Sequence, residues 1–176
     1  MLSANIVVFT LVLQGCPRKI LFLHWFYKVF SRGVIAAAGA ADGMESGLVS
    51  AEWLSAELKA EGGAPLRVLD ASWFLGGKDF GWTDRDAKGE FASERIPGAA
   101  FFDVDQVADT STTDLPHMMP TTEQFAVAMR ELGIDKGTRV VAYDALGMFS
   151  APRCWYTLRT FGHPSVAVLD GGFGAW

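Results

Sequence analysis

Arg139-Val140-Val141-Ala142-Tyr143-Asp144, running into Ala145-Leu146-Gly147-Met148-Phe149-Ser150, is the stretch that decides the fold. Its first five residues are short, almost wholly apolar and followed by a charge, the pattern of a strand buried on both faces. A helical pattern starts at once, with Ser150 as its expected cap and Pro152 in its first turn. A tight loop between a buried strand and a helix start aims several backbone N–H groups at one point, and the helix end adds partial positive charge. Such a loop suits an anionic nucleophile at its first position, usually a cysteine thiolate. Here that position holds Asp144, whose carboxylate has no sulfur to offer.

Outward from this loop the same alternation repeats. Leu66-Arg67-Val68-Leu69-Asp70 reads as a strand, as does Ala99-Ala100-Phe101-Phe102 after the Pro97-Gly98 turn, and Val166-Ala167-Val168-Leu169 is the last one. Ser50 caps a helix with Trp53, Leu54 and Leu58 on one face, stopped by Gly62-Gly63 and Pro65. Thr121 and Gln124 form a capping box for a helix carrying Phe125, Met129 and Leu132, closed by Gly133. Gly162 lies beyond the end of the helix that Ser150 starts. Apolar strands alternating with helices predict a single α/β domain, a doubly wound, mainly parallel sheet with helices on both faces. Ligands of such sheets sit outside the carboxyl ends of the strands. Asp70, Asp103 and Asp144 are at those ends, with Asp170 beside them; the plain alternative is that short acids finish strands and cap loops. Residues 76–94 show no period and read either as a functional loop or as an aromatic clasp over a sheet edge.

The 176 residues suffice for one domain with a sizeable core. The net charge of −5 and the lack of a basic stripe argue against a nucleic-acid binder. No metal-ligand spacing, P-loop or GxGxxG is present, so neither metal nor cofactor is expected. Two cysteines, Cys16 and Cys154, form no CxxC pair and point to a reducing compartment. Cys154, about one turn into its helix, reads as a buried, inert hydrophobe, and His117 and His163, beside turns, as structural. Cys16 has no partner.

The first 41 residues hold Arg18, Lys19, Lys28 and Arg32 and no acid, whereas all 20 acids lie beyond them. Their apolar runs, Ile6–Leu13 and Ile20–Phe30, fall short of the roughly 18 to 20 residues a membrane-spanning helix needs. Three readings stand for residues 1–46: an organelle transit peptide, with a mitochondrial address and a cytoplasmic alternative; a secretory signal ending at the small residues Ala36–Ala40; and an ill-defined start, with the protein beginning near Met44. Under each, the domain is residues 47–176.

Five pieces in order carry a family resemblance: Arg67-Val68-Leu69-Asp70-Ala71-Ser72-Trp73; Ile96-Pro97-Gly98-Ala99-Ala100-Phe101-Phe102-Asp103; Asp114-Leu115-Pro116-His117-Met118-Met119-Pro120; Tyr143-Asp144 with Gly147 and Phe149-Ser150-Ala151-Pro152-Arg153; and Leu169-Asp170-Gly171-Gly172 with Trp176. Over about residues 48–176 the chain resembles the rhodanese family, and within it the N-terminal domain of the two-domain thiosulfate and 3-mercaptopyruvate sulfurtransferases. The resemblance implies transfer of a sulfane sulfur to a thiol or cyanide through a cysteine persulfide. It implies that this cysteine belongs to a C-terminal repeat, with aspartate at the corresponding N-terminal position, here Asp144. On that basis the chain stops inside its last helix, its partner is the missing C-terminal domain, the small anionic sulfur donor binds only the full-length enzyme, and the chain alone is inactive. The alternative is a standalone, inactive rhodanese module that binds a partner or an anion through the silent loop.

Family members usually carry histidine where this chain has Arg95, a residue that cannot release its proton near neutral pH but can bind an anion. Arg95 and Asp86 are therefore the substrate-cleft candidates, with a loop-ordering carboxylate as the plain role for Asp86. Gly147, Ser150 and Arg153 are expected to shape the loop and helix start, with Arg153 paired to a loop carboxylate such as Asp144. A cryptic sulfur acceptor at Cys154 is the remaining reading.

Overall fold

A computed structural model describes residues 44, 46–75, 85–112 and 115–176. Five parallel strands form one sheet in the order β1-β5-β4-β2-β3: β1 Leu48–Val49, β2 Leu66–Asp70, β3 Ala100–Phe101, β4 Arg139–Tyr143 and β5 Val166–Leu169. Helices connect them: α1 Ala51–Lys59, α2 Ala87–Ser93, α3 Thr122–Glu131, α4 Ala151–Thr160, and the short α5 Gly172–Ala175 after β5. The α/β parallel architecture read from the sequence is the one observed.

Side chains alternate across each strand, so the sheet supplies two cores. On one face Leu69, Val140, Ala142, Val166 and Val168 pack with Phe125 and Met129 of α3 and Cys154 and Leu158 of α4. On the other, Val49, Val68, Val141, Tyr143, Ala167 and Leu169 pack with Trp53 and Leu54 of α1, Ile96 and Phe173. The central strand β4 is buried along all but its first residue, because helices cover both of its faces.

The predicted strands β2, β4 and β5 have the observed bounds, and β3 is shorter than Ala99–Phe102. The Thr121–Gln124 capping box forms in both directions. Gly133 and Gly162 take positive φ of 67° and 81° just past their helices, where an L side chain would be strained. Leu58, expected on the apolar face of α1, points outward and is 37 % exposed. The stretch read as aperiodic contains α2, whose N-cap Asp86 accepts a hydrogen bond from Lys88 N at 3.1 Å. Residues 76–84 of that stretch lie outside the described residues, as does the leader apart from Met44 and Ser46. Met44 packs in the second core, and Gly47 O accepts from Val168 N at 2.9 Å.

Candidate functional site

The loop after β4 closes around the side chain at its first position. Asp144, 1 % exposed, accepts at Oδ1 from Leu146 N (2.9 Å) and at Oδ2 from Phe149 N (2.7 Å), Ser150 N (2.9 Å) and Ala151 N (2.8 Å). Three amides converge on one oxygen at the start of α4, the cradle expected from a strand–loop–helix junction. The carboxylate that occupies it gains charge-assisted hydrogen bonds.

Asp144 is held through its main chain too. Phe173 N donates to Asp144 O at 2.9 Å. Gly172, at φ +57°, lies so close beneath that a Cβ there would collide with Asp144 O and Gly147 Cα. This contact explains the paired glycines of Leu169-Asp170-Gly171-Gly172: the turn after β5 is a floor for the loop, and a side chain would lift the loop off it. Gly147 has φ +102°, a conformation that suits glycine.

Two serines tie this loop to the end of β2. Ala145 N donates to Ser72 Oγ (2.9 Å), and Trp73 N donates to Ser150 Oγ (3.1 Å). Ser150 is the N-cap residue of α4 as expected, but its hydroxyl makes no bond to the helix start and serves Trp73, while its carbonyl accepts from Arg153 N. The expected Arg153–Asp144 pair is corrected. The carboxylate accepts from four amides, and the Arg153 guanidinium donates to His117 O at 2.6 Å. His117 is held at φ +58°, with Nδ1 3.0 Å from Asp105 Oδ1, and its ring meets Trp73 edge-on at 4.8 Å. Trp73 in turn stacks on Phe149. His163 Nε2 lies 2.8 Å from Thr138 O in a buried turn. Cys154 is fully buried among apolar side chains, which pushes its thiol pKa far up and leaves little thiolate.

The four strand-end acids separate. Asp144 and Asp70 are buried, Asp103 caps the next turn through Asp105 N and Gln106 N and pairs with Lys88, and Asp170 is exposed. Asp70 borders a cavity of about 670 Å³ at the carboxyl ends of the strands, walled by Ser72, Arg85, Asp86, Glu90 and Phe91 among others. Of the two cleft candidates, Asp86 lines this cavity. Arg95 does not, because its guanidinium donates to Phe91 O and Ala92 O at the end of α2. Arg85, which sequence reasoning passed over, faces the cavity in a two-pronged pair with Glu90 (2.8 and 2.6 Å). Ser72 was missed also; only its place two residues past a strand end hinted at a role. Among the described residues no group of three or more potential metal ligands forms.

The family model described as "Rhodanese-like domain" matches residues 50–176. The chain is 48% identical to human 3-mercaptopyruvate sulfurtransferase over 132 residues, which is 73% of this chain and 42% of the relative. It is 44% identical to chicken thiosulfate sulfurtransferase over 140 residues, 78% of this chain and 46% of that protein. A crystal structure of an Escherichia coli protein, described as a rhodanese-fold 3-mercaptopyruvate sulfotransferase, superposes with a TM-score of 0.64 at 40% identity, covering 74% of this chain and 47% of that one. The chain thus spans less than half the length of the curated relatives it matches. The matched residues hold four of the five strands, the loop cradle and the glycine floor, and the chain belongs to the rhodanese-like domain family.

Proposed function

We propose that this domain is the non-catalytic N-terminal repeat of a two-domain sulfurtransferase that moves sulfane sulfur to a thiol or cyanide acceptor. The observation that carries the proposal is the cradle filled by Asp144: the position where a sulfur-bearing thiolate would gain three amide hydrogen bonds holds a carboxylate instead. A carboxylate oxygen forms no stable persulfide. Cys154, fully buried and with its thiol pKa pushed up, is no substitute. Sulfur must then be carried by a cysteine outside this domain, consistent with a chain that spans less than half of its relatives.

In this reading the domain contributes a wall. The loop surface around Asp144 presents Met148, which is 37 % exposed, beside the Trp73–Phe149 stack, an apolar area fit to pack against a second domain. Arg85 on the cavity wall is the cation placed to meet a small anionic donor, Asp86 beside it orders the helix start as N-cap, and Arg95 adds positive charge nearby. The donor proposed is 3-mercaptopyruvate, on the 48% identity to the human enzyme of that name, with thiosulfate next. A mitochondrial address is proposed from the acid-free first 41 residues and a 44% identical Arabidopsis thaliana relative whose name includes "mitochondrial".

The test is sulfur loading and turnover. The 176-residue chain, incubated with 3-mercaptopyruvate or thiosulfate, should show no added sulfur atom by intact mass and release no thiocyanate from cyanide. Joined to a rhodanese-like domain that carries a loop cysteine, it should turn over. That turnover should vanish when the loop cysteine is replaced by serine. Catalytic thiocyanate release by the 176-residue chain itself would overturn the reading.

A further inference from the structure

Arg85 meets the cavity with its charge already matched by a neighbour. Its Nε and Nη2 donate to Glu90 Oε1 and Oε2 at 2.8 and 2.6 Å, and its Cζ lies over the Phe74 ring, 3.9 Å from the centroid. A guanidinium carries its N–H donors in one rigid plane. Glu90 takes the side-on edge of that plane and Phe74 covers one face, which leaves the end-on edge of Nη1 and Nη2 for a ligand. That edge fits the paired oxygens of a single planar carboxylate.

The rest of the charged wall is acidic. Asp70, Asp86 and Glu94 line the same cavity, and among the described residues none of them forms an ion pair. Asp86 is the N-cap of α2, and Glu94 is the residue that ends that helix. Asp70 is 5 % exposed, and burial favours its protonated form. Even with Asp70 neutral, Asp86 and Glu94 remain, beside an arginine whose charge Glu90 cancels. Of the cations close by, Lys88 is paired with Asp103 at 2.6 Å, and Arg95, outside the cavity wall, donates to Phe91 O and Ala92 O.

Repulsion from such a wall grows in proportion to the charge on the ligand, while the open edge of Arg85 rewards one carboxylate. We infer that Glu90, by cancelling Arg85 within an acidic wall, makes this domain selective for the charge of the sulfur donor: a monoanionic carboxylate is admitted and a dianionic oxyanion is turned away. Of the proposed donors, 3-mercaptopyruvate presents one planar carboxylate of single charge, and thiosulfate is a tetrahedral dianion. The wall therefore favours the first and opposes the second. The inference rests on the reading that a sulfur donor meets this cavity, and it gives Glu90 and Glu94 a part in the choice between donors.

Steady-state thiocyanate release tests it in the chain joined to a rhodanese-like domain that carries a loop cysteine, with each donor in turn at fixed pH and ionic strength. The quantity read is the ratio of kcat/KM for 3-mercaptopyruvate to that for thiosulfate. Glu90→Gln keeps an oxygen for Arg85 and removes the charge. It should raise kcat/KM about twofold for the monoanion and about fourfold for the dianion, because the charge effect doubles with the charge on the ligand. The ratio should therefore fall about twofold. Glu94→Gln, which leaves the Arg85–Glu90 bonds in place, should move the ratio in the same direction. A ratio that holds or rises in Glu90→Gln would overturn the selectivity, and if that variant does not fold, Glu94→Gln decides by the same criterion. Arg85→Gln separates the two readings, since it should lower kcat/KM for both donors. If it leaves them unchanged, or if the joined protein turns over neither donor, the proposed role of the cavity fails and this inference with it. If it lowers them while the ratio ignores Glu90, the selectivity alone is overturned.

Discussion

Asp144 completes its own binding site. Each buried amide stranded by loss of its acceptor costs about 1–3 kcal/mol before relaxation. Asp144→Ala strands four of them and is expected to destabilise the domain by about 3 kcal/mol or more, read from urea midpoints. Asp144→Asn, which keeps one acceptor oxygen, should recover part of that loss. Asp144→Cys sets a thiol among the same amides, whose partial charges favour the thiolate. Its thiol should therefore titrate below an ordinary cysteine, read from the ultraviolet absorbance of the thiolate across a pH series. Cys154 in the parent protein should stay unmodified by iodoacetamide until denaturant is added, since it is fully buried. The importance of Asp144 was legible in the sequence, because strand, loop and helix start are local patterns. Its partners were not. That four amides would bind it, and that Arg153 would reach the His117 carbonyl, follows from the closure of a loop, and the charges of an Arg and an Asp nine residues apart invite the wrong pairing.

Among the elements, those with strong local patterns were readable. β2, β4 and β5 are apolar runs ended by turn residues, and α3 carries a complete capping box. Replacing Thr121 with Ala should cost about 1 kcal/mol in chemical denaturation, the usual worth of such a cap. α2 escaped notice because Ala87-Lys88-Gly89-Glu90-Phe91-Ala92-Ser93 has one large apolar residue and a glycine near its middle, so no period builds up. β1, two residues long, is defined by pairing with β5 and by no local signal. The turn under the loop is similar: the two glycines of Gly171-Gly172 look like an ordinary turn, and their purpose appears only when Asp144 O is seen against Gly172. Gly172→Ala meets both a positive φ and that carbonyl. It should destabilise by more than about 1 kcal/mol, with the largest amide shifts in the Asp144 loop.

For the molecule as a whole, the titrating acids pull in opposite directions. Hydrogen bonds from the Ser111 and Thr112 side chains hold Asp109 down to about 2, His117 lowers Asp105, and Thr138 lowers Asp135. Their stabilising effect is present above the ordinary carboxylate range and is lost as pH falls through it towards about 2. Asp70 has the opposite sign: its folded value lies above the unfolded one, so it costs stability as pH rises from the ordinary range through its raised value. Urea midpoints measured against pH should therefore drop in acid. The midpoint of Asp70→Asn relative to the parent should climb as pH rises through the window above the ordinary aspartate value.

The strand order has a consequence for synthesis. β5 lies between β1 and β4, so the earliest strand borders only the latest. As the polypeptide leaves the ribosome, Leu48 and Val49 have no ladder to join until Val166–Leu169 has emerged. β2, β4 and β3 can assemble beforehand. Arrest-peptide force measurements along the nascent chain should record the closing event only after Leu169 clears the exit tunnel, so the two flanks of this sheet are joined by the strand that arrives last.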